Sequence, residues 1–148
     1  MKPGDLVFVT GSSFISKIIK AITKSLYTHV AIVVSDNIIL EADAFKTVTI
    51  SELNYDKYVI VSTGLNLTEK DVLHTAIKFI GKKYDYLQIL KILLNKFLKI
   101  ALPFLNIKSR YTCVELAVSI LQENGISITA DTPAELYKNL QVINNPRP

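Results

Sequence analysis

Two β-branched apolar runs, Tyr27-Thr28-His29-Val30-Ala31-Ile32-Val33-Val34 and Ile38-Ile39-Leu40-Glu41-Ala42, are separated only by the turn-forming Ser35-Asp36-Asn37. This stretch constrains the chain more than any other, because so short a link joins antiparallel neighbours and nothing else. The first run is apolar on both faces and reads as a central strand. With a three-residue link, Val34 faces Ile38, Ala31 faces Glu41 and His29 faces Asp43. His29, Glu41 and Asp43 then share one face of the sheet. A two-residue link inverts the alternation and sends both carboxylates to the other face. The register of this hairpin decides whether the histidine has an acidic neighbour.

Other segments extend the same pattern. Leu6-Val7-Phe8-Val9, after the turn Pro3-Gly4-Asp5, reads as a strand, as do Thr47-Val48-Thr49-Ile50 and Tyr58-Val59-Ile60-Val61, and their short connections predict an antiparallel sheet. Gly11-Ser12-Ser13 offers a loop and cap before an amphipathic helix with Phe14, Ile15, Ile18, Ile19 and Ile22 on one side and Lys17, Lys20 and Lys24 on the other. Thr68-Glu69-Lys70-Asp71 is a capping box whose helix carries Val72, Leu73, Ala76, Ile77 and Ile80 on one face and closes at Gly81. A helix from Thr112 to Asn124 closes at Gly125, and a last short helix begins near Asp131 with Pro133 in its first turn. Asn144 to Pro148 reads as a frayed tail. With 148 residues, no internal repeat and no visible boundary, one domain over 1–148 is expected.

The net charge of +4 is spread over lysines along the helices and forms no basic run, which removes the signature of a nucleic-acid-binding protein. An anionic membrane surface is the alternative partner for such a charge. Residues 87–102 are mostly apolar, with a narrow polar stripe of Gln88, Lys91, Asn95 and Lys99, and Pro103 ends or kinks the segment. Its lysines and modest length argue against a transmembrane span. Core packing is the first reading of this helix, and contact with a partner or a membrane surface is the second. The first residues lack an apolar signal core, and a single cysteine suits a reducing compartment, so a cytoplasmic location is expected.

That cysteine, Cys113, lies in Tyr111-Thr112-Cys113-Val114-Glu115-Leu116 at the start of a helix. It has no disulfide partner in the chain and its surroundings match no zinc pattern. Two readings stand side by side: a buried thiol acting as a small hydrophobe, or a thiolate favoured by the helix N-terminus. A nucleophilic cysteine needs an imidazole within hydrogen-bond reach and a third polar group to orient it. Of the two histidines, His74 falls on the polar face of its helix and reads as a surface residue. His29 lies on the central strand, with Glu41 and Asp43 as candidates for the third role.

The residues around this constellation resemble a known family. Pro3-Gly4-Asp5-Leu6-Val7-Phe8 is similar to the "PGDLVF" strand of the NlpC-type papain-like cysteine hydrolases, and Thr28-His29-Val30-Ala31-Ile32-Val33 to their histidine-bearing "HVGIY" strand. Leu40-Glu41-Ala42 falls where the family has its third polar residue. The cysteine helix follows these strands instead of preceding them, an order that resembles the circularly permuted YiiX-like and YebB-like branch, with its "YxCSEL" motif. Tyr84-Asp85 and Asp131-Thr132-Pro133-Ala134-Glu135-Leu136 also look like that branch. Ala31 and Val114 depart from the motifs, standing where the family has Gly and often Ser.

The resemblance implies an α+β papain-like domain with a central antiparallel sheet packed by helices. Carried over by position, Cys113 is the nucleophile, His29 the general base and acid, and Glu41 the orienting group, with Asp43 as its rival. The implied activity is thiol hydrolysis of an amide, ester or thioester through an acyl-enzyme, without a metal or organic cofactor. Peptidoglycan peptides, acylated amino acids and lipid acyl chains are the candidate substrates. Tyr27 and Tyr111 flank the site as substrate contacts or as packing aromatics. Acyl transfer and a catalytically silent binding module are the rival functions. The oligomeric state is left open.

Overall fold

The computed structural model describes residues 1–12, 14–42, 47–86, 91, 95 and 110–144. Expectations for Ser13, Asp43, the body of the 87–102 helix, Pro103 and the 145–148 tail lie outside the described residues. The elements are β1 (Leu6–Val9), α1 (Phe14–Thr23), β2 (His29–Ser35), β3 (Ile38–Ala42), β4 (Val48–Glu52), β5 (Tyr58–Val61), α2 (Glu69–Ala76), β6 (Lys83–Tyr84), β7 (Arg110–Tyr111), α3 (Cys113–Glu123) and α4 (Pro133–Asn144). The class is α+β. Five strands form one antiparallel sheet in the order β4-β3-β2-β1-β5, so β2 is its central strand. β6 and β7 form a small parallel pair.

Strand alternation divides the sheet into two apolar faces. Leu6, Phe8, Val30, Ile32 and Leu40 point toward the helices and are buried among Val72, Leu116, Ala117, Ile120, Leu121, Leu136 and Leu140. Burying each such large side chain contributes about 1.5–3 kcal/mol, which holds α2, α3 and α4 on this side. Val7, Val9, Ala31, Val33 and Ile39 occupy the opposite face, under Leu53 and Tyr55 of the link between β4 and β5. That link is fastened at both ends: Leu53 N–H donates to Asn37 O and Thr10 N–H to Lys57 O, each at 2.9 Å.

The hairpin register combines the two alternatives open to the sequence. Asp36 and Asn37 form a two-residue turn, with Asn37 at φ +61°. Ser35, not Val34, is therefore opposite Ile38. A β-bulge between Val33 and Ser35 adds one residue to β2, and Val33 returns opposite Ile39 and Ile32 opposite Leu40. This restores the pairing expected of a three-residue link and keeps Glu41 on the face of His29.

Two helix expectations need correction. Thr68 caps α2 through a reciprocal bond with Asp71, but the helix stops at Ala76, and Ile77 and Ile80 are exposed while Phe79 turns inward. In α3, helical spacing predicts Val114, Ala117, Val118 and Leu121 on the inner side, but Leu116 and Ile120 are also buried with Cys113, whereas Val118 is half-buried.

Candidate active site

The site is assembled where the start of β2 meets the first turn of α3. Thr112 caps α3 from an extended backbone conformation. Its hydroxyl accepts the Glu115 N–H at 3.1 Å, and the Glu115 carboxylate accepts the Thr112 N–H at 2.8 Å. This capping box holds Cys113 at the first helical position, where the helix dipole and unpaired N–H groups favour an anion. Sequence reasoning missed it, although Thr-x-x-Glu at 112–115 is its ordinary signal.

The Cys113 side chain is buried within hydrogen-bonding reach of the His29 imidazole and of the Val30 and Val114 backbone N–H groups. His29 Nε2 lies 2.9 Å from Glu41 Oε2, which leaves Nδ1 for the thiol. Cys113 belongs to the helix side of the sheet and Glu41 to the opposite face. The imidazole, at the first residue of β2, reaches both. A loop braces this strand start: Gly11 N–H donates to Thr28 Oγ1 at 3.0 Å, and a Cβ on Gly11 would fall 2.3 Å from Ser16 Oγ. A larger residue there would have to push the Ser16 and Thr28 side chains aside.

Glu41 is 5% exposed and its carboxylate is fully engaged. Ser51 Oγ donates to Oε1 at 2.6 Å, and the Tyr55 hydroxyl donates to Oε2 at 2.5 Å. Neither residue was identified from sequence. Ser51 could have been, since Glu41 pairs with Thr49 and the period of two puts Ser51 on the same face. Tyr55 lies in a link with no periodicity to read.

The charges of the three groups are coupled. Burial favours a neutral imidazole, but hydrogen bonds to Cys113 and Glu41 and the negative charge they carry outweigh it and raise His29 to about 10. Burial likewise pushes the Glu41 carboxyl up, and the bonds from His29, Ser51 and Tyr55 overcome this and hold it down at about 2. For Cys113, burial raises the thiol, whereas His29 and the Val30 and Val114 N–H groups lower it, and the net direction is down. The arrangement favours a thiolate–imidazolium pair with an ionised carboxylate behind it.

The other sequence candidates make contacts of their own. Tyr27 packs against Phe8 and Tyr137, with ring centroids 5.6 and 4.6 Å away. Tyr111 meets Phe79 edge-on at 5.2 Å and lies under Lys82 Nζ at 5.4 Å. His74 is exposed. Among the described residues, no group of three or more His, Cys, Asp and Glu side chains could hold a metal ion. No helix among them is long and apolar enough to cross a membrane.

The α+β arrangement, with a five-stranded antiparallel sheet and an N-capped cysteine helix, is a YiiX-like fold. The chain superimposes on the crystal structure of metalloprotein YiiX from Escherichia coli O157:H7, described as DUF1105, with a TM-score of 0.61 and 22% sequence identity. The match covers 84% of this chain and 66% of the YiiX chain, so this sequence spans about two thirds of that protein's length. Neither a protein-family model nor a curated protein matches the sequence.

Proposed function

We propose that this protein is a thiol hydrolase of the permuted NlpC-type, papain-like kind, acting through Cys113, His29 and Glu41. The observation that carries the reading is the continuous line from Glu41 through His29 to a helix-capped thiol. The Cys113 thiolate attacks the carbonyl carbon of an amide, ester or thioester. The Cys113 backbone N–H, free of an intrahelical partner at this position, is one donor for the oxyanion. The imidazolium then passes its proton to the leaving amine, alcohol or thiol, and an acyl-enzyme forms. His29, now neutral, takes a proton from water, and hydroxide attack releases the acid and regenerates Cys113. Glu41 keeps the ring oriented and balances its charge. The chemistry calls for no metal or organic cofactor. The lone free thiol suits a cytoplasmic setting, and a peptide, acylated amino acid or lipid acyl group suits the mechanism equally.

The test is to incubate the protein with p-nitrophenyl acyl esters, acyl amides and muropeptides and to seek the acyl adduct on Cys113 by intact-mass and peptide analysis. Adduct formation and release, both lost in Cys113→Ala, support the reading. Partition of the acyl group between water and an added amine separates hydrolysis from transfer. If no substrate forms an adduct and the thiol resists alkylation, the fold serves as a binding module instead.

A further inference from the structure

Glu41 is held by more donors than an orienting carboxylate needs for the histidine alone. Oε2 is shared by His29 Nε2 and the Tyr55 hydroxyl, and Oε1 receives Ser51 Oγ. An ionised carboxylate only accepts, so all three partners must donate. Nε2 therefore carries hydrogen, and the tautomer that turns Nδ1 toward Cys113 is set from the far side of the ring. The donors come from separate elements: Ser51 from β4 and Tyr55 from the link pinned at Leu53 and Lys57. Tyr55 also packs on the cluster of Val7, Val9, Ala31, Val33 and Ile39, and its ring lies 5.8 Å from that of His29. The hydroxyl is thus delivered by a fixed, partly apolar strap and not by a mobile surface chain.

We infer that Tyr55 and Ser51 are positioning residues that keep Glu41 ionised and aligned with His29, and so set the lowest pH at which the Cys113 thiolate forms. The inference rests on the thiolate–imidazolium reading of the site. Both hydroxyls are bonded to the Glu41 carboxylate, and each acts through it. Removing a donor raises the pH at which the carboxylate takes up a proton. Protonated Glu41 no longer supports an imidazolium, and the thiol regains its own proton.

The experiment is the pH dependence of Cys113 alkylation by iodoacetamide in the wild type, Tyr55→Phe, Ser51→Ala, Ser51→Thr and His29→Ala, with near-UV circular dichroism as the check on folding. Tyr55→Phe and Ser51→Ala should each move the acid limb up by about one pH unit, roughly a tenfold lower rate at a given pH on that limb. Their rates on the alkaline plateau should equal that of the wild type, and Ser51→Thr should restore the limb. A merely structural role would lower the unfolding midpoint and leave the limb in place. If His29→Ala displaces the profile while Tyr55→Phe and Ser51→Ala do not, the positioning inference fails and the Cys113–His29 pair stands. If His29→Ala also leaves the profile unmoved, the pair fails and the inference with it.

Discussion

His29 Nε2 and Glu41 Oε2 stand 2.9 Å apart across neighbouring strands, and the bulge between Val33 and Ser35 is what puts them on the same face. The carboxylate helps to raise His29 to about 10. Glu41→Gln keeps an oxygen acceptor but removes the charge, so the alkaline limb of turnover should move down by about 1–3 pH units. His29→Ala removes the base itself and should lower turnover at neutral pH by about 10²–10⁴-fold. Steady-state rates against pH for the two variants check both expectations.

The same shifts make stability depend on pH in opposite directions. Glu41 is depressed to about 2 from an ordinary 4.5, so its contribution is complete above pH 4.5 and is lost as pH falls through about 2. That contribution is on the order of 3 kcal/mol. His29 is raised from 6.5 to about 10, so its contribution is complete below pH 6.5 and is lost as pH rises through about 10. Urea unfolding from pH 2 to 10 should show a stability difference between wild type and Glu41→Gln that shrinks toward pH 2.

Thr112 anchors the cysteine helix through its bond from Glu115 N–H. Thr112→Ala should cost about 1 kcal/mol of stability, and Thr112→Ser should recover most of it. Because the cap also fixes Cys113, the alanine variant should alkylate more slowly at neutral pH than the serine variant. Paired unfolding and alkylation measurements test the two effects together.

Tyr27 and Tyr111 were expected beside the site as substrate contacts or as packing aromatics. Their ring contacts with Tyr137 and Phe79 favour packing. Tyr27→Phe and Tyr111→Phe should leave KM within about twofold of the wild type, in the range of a substitution that alters no essential contact. A larger rise in KM at unchanged kcat would assign the hydroxyl to substrate.

The proposed chemistry proceeds on the thiolate alone. EDTA should leave turnover unaltered, and added Zn²⁺, drawn to thiolate and imidazole, should inhibit and be reversed by the chelator. Turnover abolished by EDTA and restored by a metal would overturn the thiol mechanism.

Much of the fold was legible because it rests on local periodicity. The continuous apolar run of Leu6–Val9, the two-faced run ending at Val34 and the cap at Thr68 each state their element within a few residues. The misreadings have local causes as well. Ile77 and Ile80 continue the helical spacing after α2 has stopped at Ala76, because periodicity does not record where the backbone turns away.

For the site, the sequence by itself determined which chemistry was available: one cysteine at a helix start, one histidine on a central strand and a glutamate one strand away. Tertiary structure decided their meeting. A two-residue turn would have sent Glu41 to the wrong face, and only the bulge in β2, an unpaired residue that local propensity does not specify, reversed that outcome. Ser51 and Tyr55 reach Glu41 from ten and fourteen residues further along the chain. Hydrogen bonds between side chains are short-ranged in space and indifferent to sequence separation, so this part of the site exists only once the sheet has closed around it.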